Sequence, residues 1–300
     1  MQFLGHPHVE GRVSAIRGTA LLASGLDRLV SLGQRVQVLG NLGPVLGEVV
    51  AFEPSGACCL LPFGTWDGVS TGDAVVVRPD TGTIQPDDSW LGHVFDGLGR
   101  PLGDASGVFQ GTRSRRVRGT PPDPFARRRV GPKWETGIRC LDIFTPICRG
   151  QRLGIFAGSG VGKSTLLSML ARQRDTDVFV IGLVGERGRE LREFIEADLG
   201  PEGMARAVVI VATSDDPPMM RRQAAWTATA VAEHFRDQGK QVLLMLDSVT
   251  RFAMAQREIG LAAGEPPTSK GYPPTVFAEL PRLLERAGPG AGAAGDITGL

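Results

Sequence analysis

A glycine-rich turn that ends in a lysine and a serine is the segment of this sequence that most clearly predicts chemistry. In residues 157–165, AGSGVGKST, three glycines precede Lys163 and Ser164. Glycines let the backbone turn sharply, so several N–H groups can point at one anion at the positive end of the following helix. Lys163 would then reach the outer phosphates of a nucleotide, and the Ser164 hydroxyl would complete a Mg²⁺ shell. We expect nucleotide contacts from the whole turn: Gly158, Ser159, Gly160, Val161, Gly162, Lys163, Ser164 and Thr165.

The turn departs from the usual pattern GxxxxGK[ST] at one position, because Ala157 stands where the first glycine is expected. The chain has only four lysines, so this spacing arises by chance in roughly 1% of such chains. The alternative is a glycine-rich loop with an incidental surface lysine. The flanking residues argue against it, because 153–157, LGIFA, predict a buried strand and the apolar residues after Ser164 predict a helix packed on a sheet.

Two acidic residues stand at the ends of later apolar strands. Glu186 follows VFVIGLV in the segment GERGRE, and Asp247 closes QVLLML. Ligands of parallel sheets bind at the carboxyl ends of strands, so both carboxylates should converge with the glycine-rich turn. Asp247 would hold Mg²⁺ through a water, and Glu186 would orient the water that attacks the γ-phosphate. The convergence predicts an enzyme that transfers a phosphoryl group to water.

Structural alternatives remain for these acids. Glu186 could be a helix N-cap or form a surface ion pair with Arg187 or Arg189. An apolar run that ends in Asp is common, so Asp247 has modest weight alone. Arg187 is a further candidate for contact with the γ-phosphate. The catalytic candidates are Lys163, Glu186, Arg187 and Asp247, and the candidate metal ligands are Ser164 and Asp247.

The pattern of apolar runs changes along the chain. Residues 1–80 alternate short apolar runs with turns, which predicts a small β-barrel or sandwich. Residues 81–150 are rich in turns, and from 150 onward apolar strands alternate with helices, which predicts an α/β domain whose mostly parallel sheet is covered by helices. We divide the chain into a barrel over 1–80 and a nucleotide-binding domain over 81–300. Besides LGIFA, the predicted strands are DVFVIGLVGE, AVVIVATS and QVLLMLDS, and the predicted helices contain LREFIEADLG, MMRRQAAWTATAVAEHFRDQG and RFAMAQREIG.

Seven arginines make the segment 113–129 locally basic. Such a segment could bind an acidic partner, or it could be a solvated connector with ion pairs between subunits. The arginines are Arg113, Arg115, Arg116, Arg118, Arg127, Arg128 and Arg129.

The composition argues against several other classes of protein. With 33 basic and 32 acidic residues, no net field favours nucleic acid or a membrane. Few aromatic residues lie in the first 80, which argues against a base-stacking surface. Apolar runs are too short to span a bilayer and no secretory signal is visible, so we expect a soluble cytosolic protein. Its four cysteines have neither zinc spacing nor the density of a disulfide framework.

Three segments together resemble the catalytic subunits related to F-type rotary ATPases: AGSGVGKST, GERGRE and the run from LLMLDSVTRF to PRLLERAG. The resemblance extends from about residue 11 to the last residue and includes ARRRVGPKWETGIRCLDIFTPICRGQRLGIFAG. Within that group the chain most resembles the flagellum-specific type III export ATPases. These share Ala157 and Ser164, whereas the rotary β subunit usually shows GGAGVGKT. The non-catalytic rotary subunit has glutamine at the position of Glu186, so the resemblance implies a catalytic chain.

The resemblance implies a RecA-like P-loop domain in a homo-hexameric ring that hydrolyses ATP with Mg²⁺. It implies release of export substrates from chaperones and their delivery to a membrane export gate, with regulator and central-stalk proteins as partners. No nucleic acid is implied, and membrane association is at most peripheral, at the inner face of the cell membrane. The resemblance also implies that Arg251, in the segment TRFA, supports the nucleotide site.

The family continues beyond GDITGL, so the resemblance also implies a chain truncated at its C-terminus. The final strands, the C-terminal helical domain, the aromatic residue that packs on adenine and the arginine finger would then be missing. Family members also carry a longer N-terminal segment that binds the regulator.

Several related functions stay open. An ATPase of a virulence-type injectisome shares nearly every motif, and a rotary ATP synthase catalytic subunit is a further alternative. A hexameric RNA translocase would need an aromatic, basic surface in the first 80 residues, and a purely structural ring subunit would need no catalysis.

Overall fold

The computed structural model describes residues 10–79, 82–103, 105, 107–158, 161–172 and 175–300, and for Ser164 the backbone alone. The chain divides into two compact units. The first contains the residues up to Gly82, Pro217–Met220 and Met254–Val276. The second contains Thr83–Asp216, Arg221–Ala253 and Phe277–Leu300.

The first unit contains a closed barrel of six antiparallel strands in the order β1-β2-β5-β4-β3-β6. The predicted barrel is therefore confirmed. Alternate apolar residues turn inward and form a buried core that includes Leu21, Val36 and Leu60. The strands are β1 (Glu10–Arg17), β2 (Ala20–Ser24), β3 (Arg35–Gly40), β4 (Gly43–Phe52), β5 (Cys58–Pro62) and β6 (Ala74–Val77).

The second unit is built on a six-stranded sheet in the order β15-β16-β14-β12-β13-β8, in which only β15 is antiparallel to its neighbour. The mostly parallel α/β sheet is therefore confirmed. Its strands are β8 (His93–Asp96), β12 (Val178–Glu186), β13 (Ala207–Thr213), β14 (Gln241–Asp247), β15 (Gly288–Pro289) and β16 (Asp296–Gly299). Two small ladders pair β7 (Thr83–Ile84) with β9 (Arg115–Arg116) and β10 (Lys133–Trp134) with β11 (Ile147–Cys148).

Seven α-helices are assigned within the described part of the chain. They are α1 (Arg139–Phe144), α2 (Lys163–Ala171), α3 (Gly188–Glu193), α4 (Gly200–Met204), α5 (Pro218–Asp237), α6 (Val249–Ala262) and α7 (Pro274–Arg286). Short 3₁₀ turns occupy Asp88–Trp90 and Ser269–Gly271, and a π-helical turn, Phe194–Leu199, continues α3 into α4. The three predicted helical segments after the glycine-rich turn are thus helical.

Helices cover both faces of the sheet, which explains why its central strands are apolar throughout. On one face, Leu167 and Leu170 of α2 pack in a buried cluster with Ile181 of β12. On the opposite face, a Cβ built on Gly182 of β12 would lie 3.0 Å from the Cβ of Ala228 in α5. These two faces are called the α2 face and the α5 face below.

The predicted strand LGIFA is wrong. Arg152 forms a single parallel bridge with Gly299, and the Leu153 N–H donates to the Gly299 carbonyl at 2.9 Å. Residues 154–157 form no strand in the described part of the chain. Phe156 is 97% exposed, whereas Leu153 and Ile155 still pack against the core.

Several observed strands were not predicted, among them β2 of the barrel and β8 of the parallel sheet. Strand β2, ALLAS, is four-fifths buried but too short and uniform to show alternation. Strand β8 lies in the turn-rich stretch 81–150, yet it pairs in parallel with β13 at the edge of the sheet.

Four arginines of the arginine-rich segment make ion pairs within the chain, and the expected ion pairs between subunits stay a prediction. The segment runs along α5, α7 and β16, which supply carboxylates close enough to pair. Arg115 pairs with Glu233 (3.6 Å) and Asp237, Arg118 with Glu279 (2.7 Å), Arg127 with Glu285 (3.3 Å) and Arg128 with Asp296 (2.6 Å).

No helix among the described residues has both the length and the apolar character that a membrane-crossing segment requires.

Candidate active site

The glycine-rich turn leads directly into helix α2. Gly162 precedes the helix with φ +91°, a left-handed conformation that glycine adopts without strain. Gly158 is exposed and has open space where a side chain would be, and Val161 and Thr165 are exposed as well. Ser159, Gly160 and the side chain of Ser164 lie outside the described residues, so their predicted contacts with phosphate and Mg²⁺ stay predictions.

Lys163 and Asp247 form an ion pair across the site. Lys163 is the first residue of α2 and Asp247 the last of β14, and Lys163 Nζ lies 2.5 Å from Asp247 Oδ1. The Lys163 side chain is 31% exposed and that of Asp247 is 13% exposed. A phosphate and a cation could each replace one partner, since the pair is open to solvent at the lysine.

Glu186, the last residue of β12, lies near this pair. Burial raises the pKa of its carboxyl group, and Asp247 raises it further, while Lys163 and Arg251 act in the opposite direction. Within the described residues Glu186 has no ion pair within 4 Å. A half-buried carboxylate that is not neutralised can accept a proton or a hydrogen bond from a water.

The alternative roles of Glu186 find little support. Arg187 donates to Glu190 Oε1 at 3.1 Å on the surface, with its side chain 66% exposed. The residue before α3 is Arg187 rather than Glu186, and no side chain caps that helix. Arg187 therefore lies beside the site but is paired elsewhere.

Arg251, in the first turn of α6, lies against β12. A Cβ built on Gly185 would be 2.9 Å from the Cβ of Arg251, so the stem of this arginine covers the strand directly before Glu186. Sequence reasoning overlooked Gly185 itself. The available signal was an isolated glycine inside a strand pattern, which often marks a bulge.

The carboxylates fit Mg²⁺ bound together with a nucleotide. Among the described residues there is no group of three or more His, Cys, Asp or Glu side chains suited to a metal. Mg²⁺ usually keeps several waters and takes one or two carboxylates plus substrate phosphates, so a lone Asp247 is an appropriate donor.

Comparison with known proteins places this geometry in a family. Residues 137–300, more than half of the chain, match the ATP synthase alpha/beta family, nucleotide-binding domain. A flagellum-specific ATP synthase from Caulobacter vibrioides is 52% identical over 94% of this chain and 64% of the relative. A type 3 secretion system ATPase from Xanthomonas euvesicatoria is 49% identical over 96% of this chain and 64% of the relative.

A solved structure is similar over nearly the whole chain. The assembled ATPase EscN from the enteropathogenic E. coli type III secretion system is 42% identical, with a TM-score of 0.87 over 96% of this chain and 68% of EscN. The chain spans less than the full length of these proteins, for example 64% of the Caulobacter relative. The match over residues 137–300 shows that the chain belongs to the ATP synthase alpha/beta family.

Proposed function

We propose that this chain is the nucleotide-binding part of an ATPase that hydrolyses Mg²⁺-bound ATP to drive type III protein export. The observation that carries the proposal is the convergence of Glu186 with the Lys163–Asp247 pair at the end of the parallel sheet. Phosphate positioning, charge neutralisation and an oriented water are the three needs of phosphoryl transfer to water.

Each group has one role in the proposed reaction. Lys163, together with the amides of 158–165, binds the phosphates, and Asp247 with the Ser164 hydroxyl holds Mg²⁺. The bound Mg²⁺ supplies neutralisation of charge on the phosphates. Glu186 orients the attacking water, and Arg251 supports the site from α6. Arg187 is proposed to contact the γ-phosphate and would have to leave Glu190 to do so.

The coupling to export is proposed from the relatives. The Caulobacter relative is a flagellum-specific ATP synthase, which favours flagellar export. EscN and the Xanthomonas relative belong to type III secretion, which favours an injectisome as the alternative. Flagellar genes beside this gene would support the first.

The proposed assembly is a cytoplasmic homo-hexamer, peripheral to the membrane at most, with the barrel over 1–80 and the nucleotide-binding domain over 81–300. EscN has been solved as an assembled ATPase and in complex with its central stalk EscO. We extend these partners to this chain, together with a regulator, export chaperones, their substrates and a membrane export gate.

Phosphate release by the purified chain tests the proposal. Release with excess Mg²⁺ and with EDTA is measured beside titration of a fluorescent ATP analogue. Lys163→Ala should weaken analogue binding roughly 10- to 100-fold, the loss expected for a hydrogen bond from a charged group, and abolish release. Lys240→Ala is the matched control, because Lys240 is exposed at the amino end of β14. A wild-type chain that binds no better than Lys163→Ala would contradict the proposal.

A further inference from the structure

Strand alternation alone would point Glu186 to the wrong side of the sheet. Phe179, Ile181 and Leu183 of β12 pack in the buried cluster of the α2 face. Successive side chains of a strand point to opposite faces, and Gly182 lies against Ala228 on the α5 face. Glu186 lies four residues after Gly182, so a regular strand would turn its carboxylate toward α5.

The pairing of β12 with β13 changes register directly before Glu186. Val184 pairs with Ala212, but the next pair joins Thr213 to Glu186 and leaves out Gly185. Gly185 has φ +73°. An extra residue with positive φ in one strand is a β-bulge, which re-aims the side chains that follow it.

The bulge transfers Glu186 to the α2 face. Thr213 lies two and four residues after Val211 and Val209, and both valines belong to the buried cluster of that face. Because Glu186 takes the register position beside Thr213, its side chain shares this face.

Asp247 reaches the α2 face without a bulge. Leu243 and Met245 belong to the same cluster, and Asp247 continues their alternation while it pairs with Leu183. Lys163 comes from α2 itself. The bulge is therefore what brings the second carboxylate to the first.

The space around Gly185 excludes a side chain. A Cβ there would lie 2.9 Å from the Cβ and 3.0 Å from the Cγ of Arg251, closer than such atoms pack. A non-glycine residue would meet both this contact and an unfavourable φ.

We propose that Gly185 is a positioning residue, whose bulge turns the Glu186 carboxylate from the α5 face to the face that holds Lys163 and Asp247. The inference rests on the proposed hydrolytic function, because its consequence is seen in turnover.

The first test compares Gly185→Ala with Gly188→Ala. Alanine at 185 should flatten the bulge, lower kcat at least tenfold and leave KM and ATP-analogue affinity within threefold. At Gly188 φ is not positive and a Cβ would meet only Thr213 Cγ2, at 4.0 Å, so turnover should be unchanged. Turnover of Gly185→Ala within threefold of wild type would overturn the inference.

Deletion of Gly185 is a second test. If Gly185 served only to keep the strand folded, its deletion would not restore turnover. Without the extra residue, Glu186 would follow Val184 directly and pair with Thr213 in a regular ladder, on the α2 face. Turnover should exceed that of Gly185→Ala at least tenfold. A deletion variant that binds the analogue normally yet turns over no faster than Gly185→Ala would contradict the inference.

Crystal structures supply a readout that is independent of activity. The Glu186 carboxylate should lie on the α2 face in the wild type and on the α5 face in Gly185→Ala. A carboxylate that stays on the α2 face in Gly185→Ala would overturn the inference. A wild-type chain with this geometry and no hydrolysis would instead overturn the proposed function.

Discussion

The ends of two neighbouring strands, β12 and β14, place the same functional group in opposite electrostatic surroundings. At the end of β14, Asp247 continues a regular ladder and is neutralised by Lys163 at 2.5 Å. At the end of β12, Glu186 follows a bulge and has a pKa raised by burial and by Asp247. A carboxylate already paired with a cation is suited to hold another cation, and one that binds protons more readily is suited to act on water. The difference supports the two proposed roles.

A large effect at the end of β14 is expected from Asp247→Asn. Asparagine keeps the shape of the side chain but loses the charge, so Mg²⁺-dependent turnover should fall roughly 10- to 100-fold, as for other groups that hold a metal through water. Lys163 is released at the same time, so ATP without Mg²⁺ should bind roughly threefold more tightly.

Titration calorimetry of ATP with Mg²⁺ and with EDTA measures this change. Glu186→Gln is the control, because it should leave the ratio of the two affinities unchanged. An Asp247→Asn variant with the wild-type ratio would show that the ion pair does not compete with nucleotide.

The next effect is a displaced pH dependence. The folded pKa of Glu186 lies above the ordinary value of 4.5, chiefly because of burial. The folded state therefore binds the proton more tightly than the unfolded state, and this carboxyl's contribution to stability is lost as pH rises from 4.5 through the folded pKa. Relative to wild type, Glu186→Gln should become more stable over that range.

Urea unfolding from pH 4 to 7 measures the stability difference, and the acid limb of kcat/KM should have its midpoint above 4.5 for the same reason. A stability difference that is constant across this range would contradict the raised pKa.

The smallest effect is expected at Arg187, directly beside Glu186. Its ion pair with Glu190 is exposed, and such pairs contribute at most about 1 kcal/mol. Arg187→Ala should therefore shift the melting temperature by no more than about 3 °C. Differential scanning calorimetry checks this, with Glu190→Gln as the matched variant. A larger shift in either would mean that α3 depends on this pair.

Much of the site follows from the sequence because two of its strands are long and apolar. VFVIGLV and QVLLML can only be buried strands, so the acidic residues that end them must lie at the carboxyl edge of the sheet. The glycines before Lys163 similarly required a turn into a helix. The places of Lys163, Glu186 and Asp247 in the sequence, after a glycine-rich turn and at the ends of apolar strands, were enough to predict that they lie at the same edge of the sheet.

What the sequence did not reveal depends on pairing between strands. LGIFA is as apolar as the other strands, but the structure shows only one isolated bridge there, between Arg152 and Gly299. The face of Glu186 depends on which residue of β13 pairs with it, and one skipped residue reverses that face. The local amino-acid composition of a strand shows neither which strand it pairs with nor the register of that pairing.

Cleavage of bound ATP in a single turnover tests the central claim most directly, namely that Glu186 acts on water while Lys163 binds the phosphates and Asp247 holds Mg²⁺. At saturating Mg²⁺ and ATP, Glu186→Gln should cleave at least about 100-fold more slowly than wild type, the lower end of the effect of a positioned acid or base. Its affinity for ATP should stay within threefold. Cleavage by Glu186→Gln within threefold of the wild-type rate would contradict the assignment of the two carboxylates.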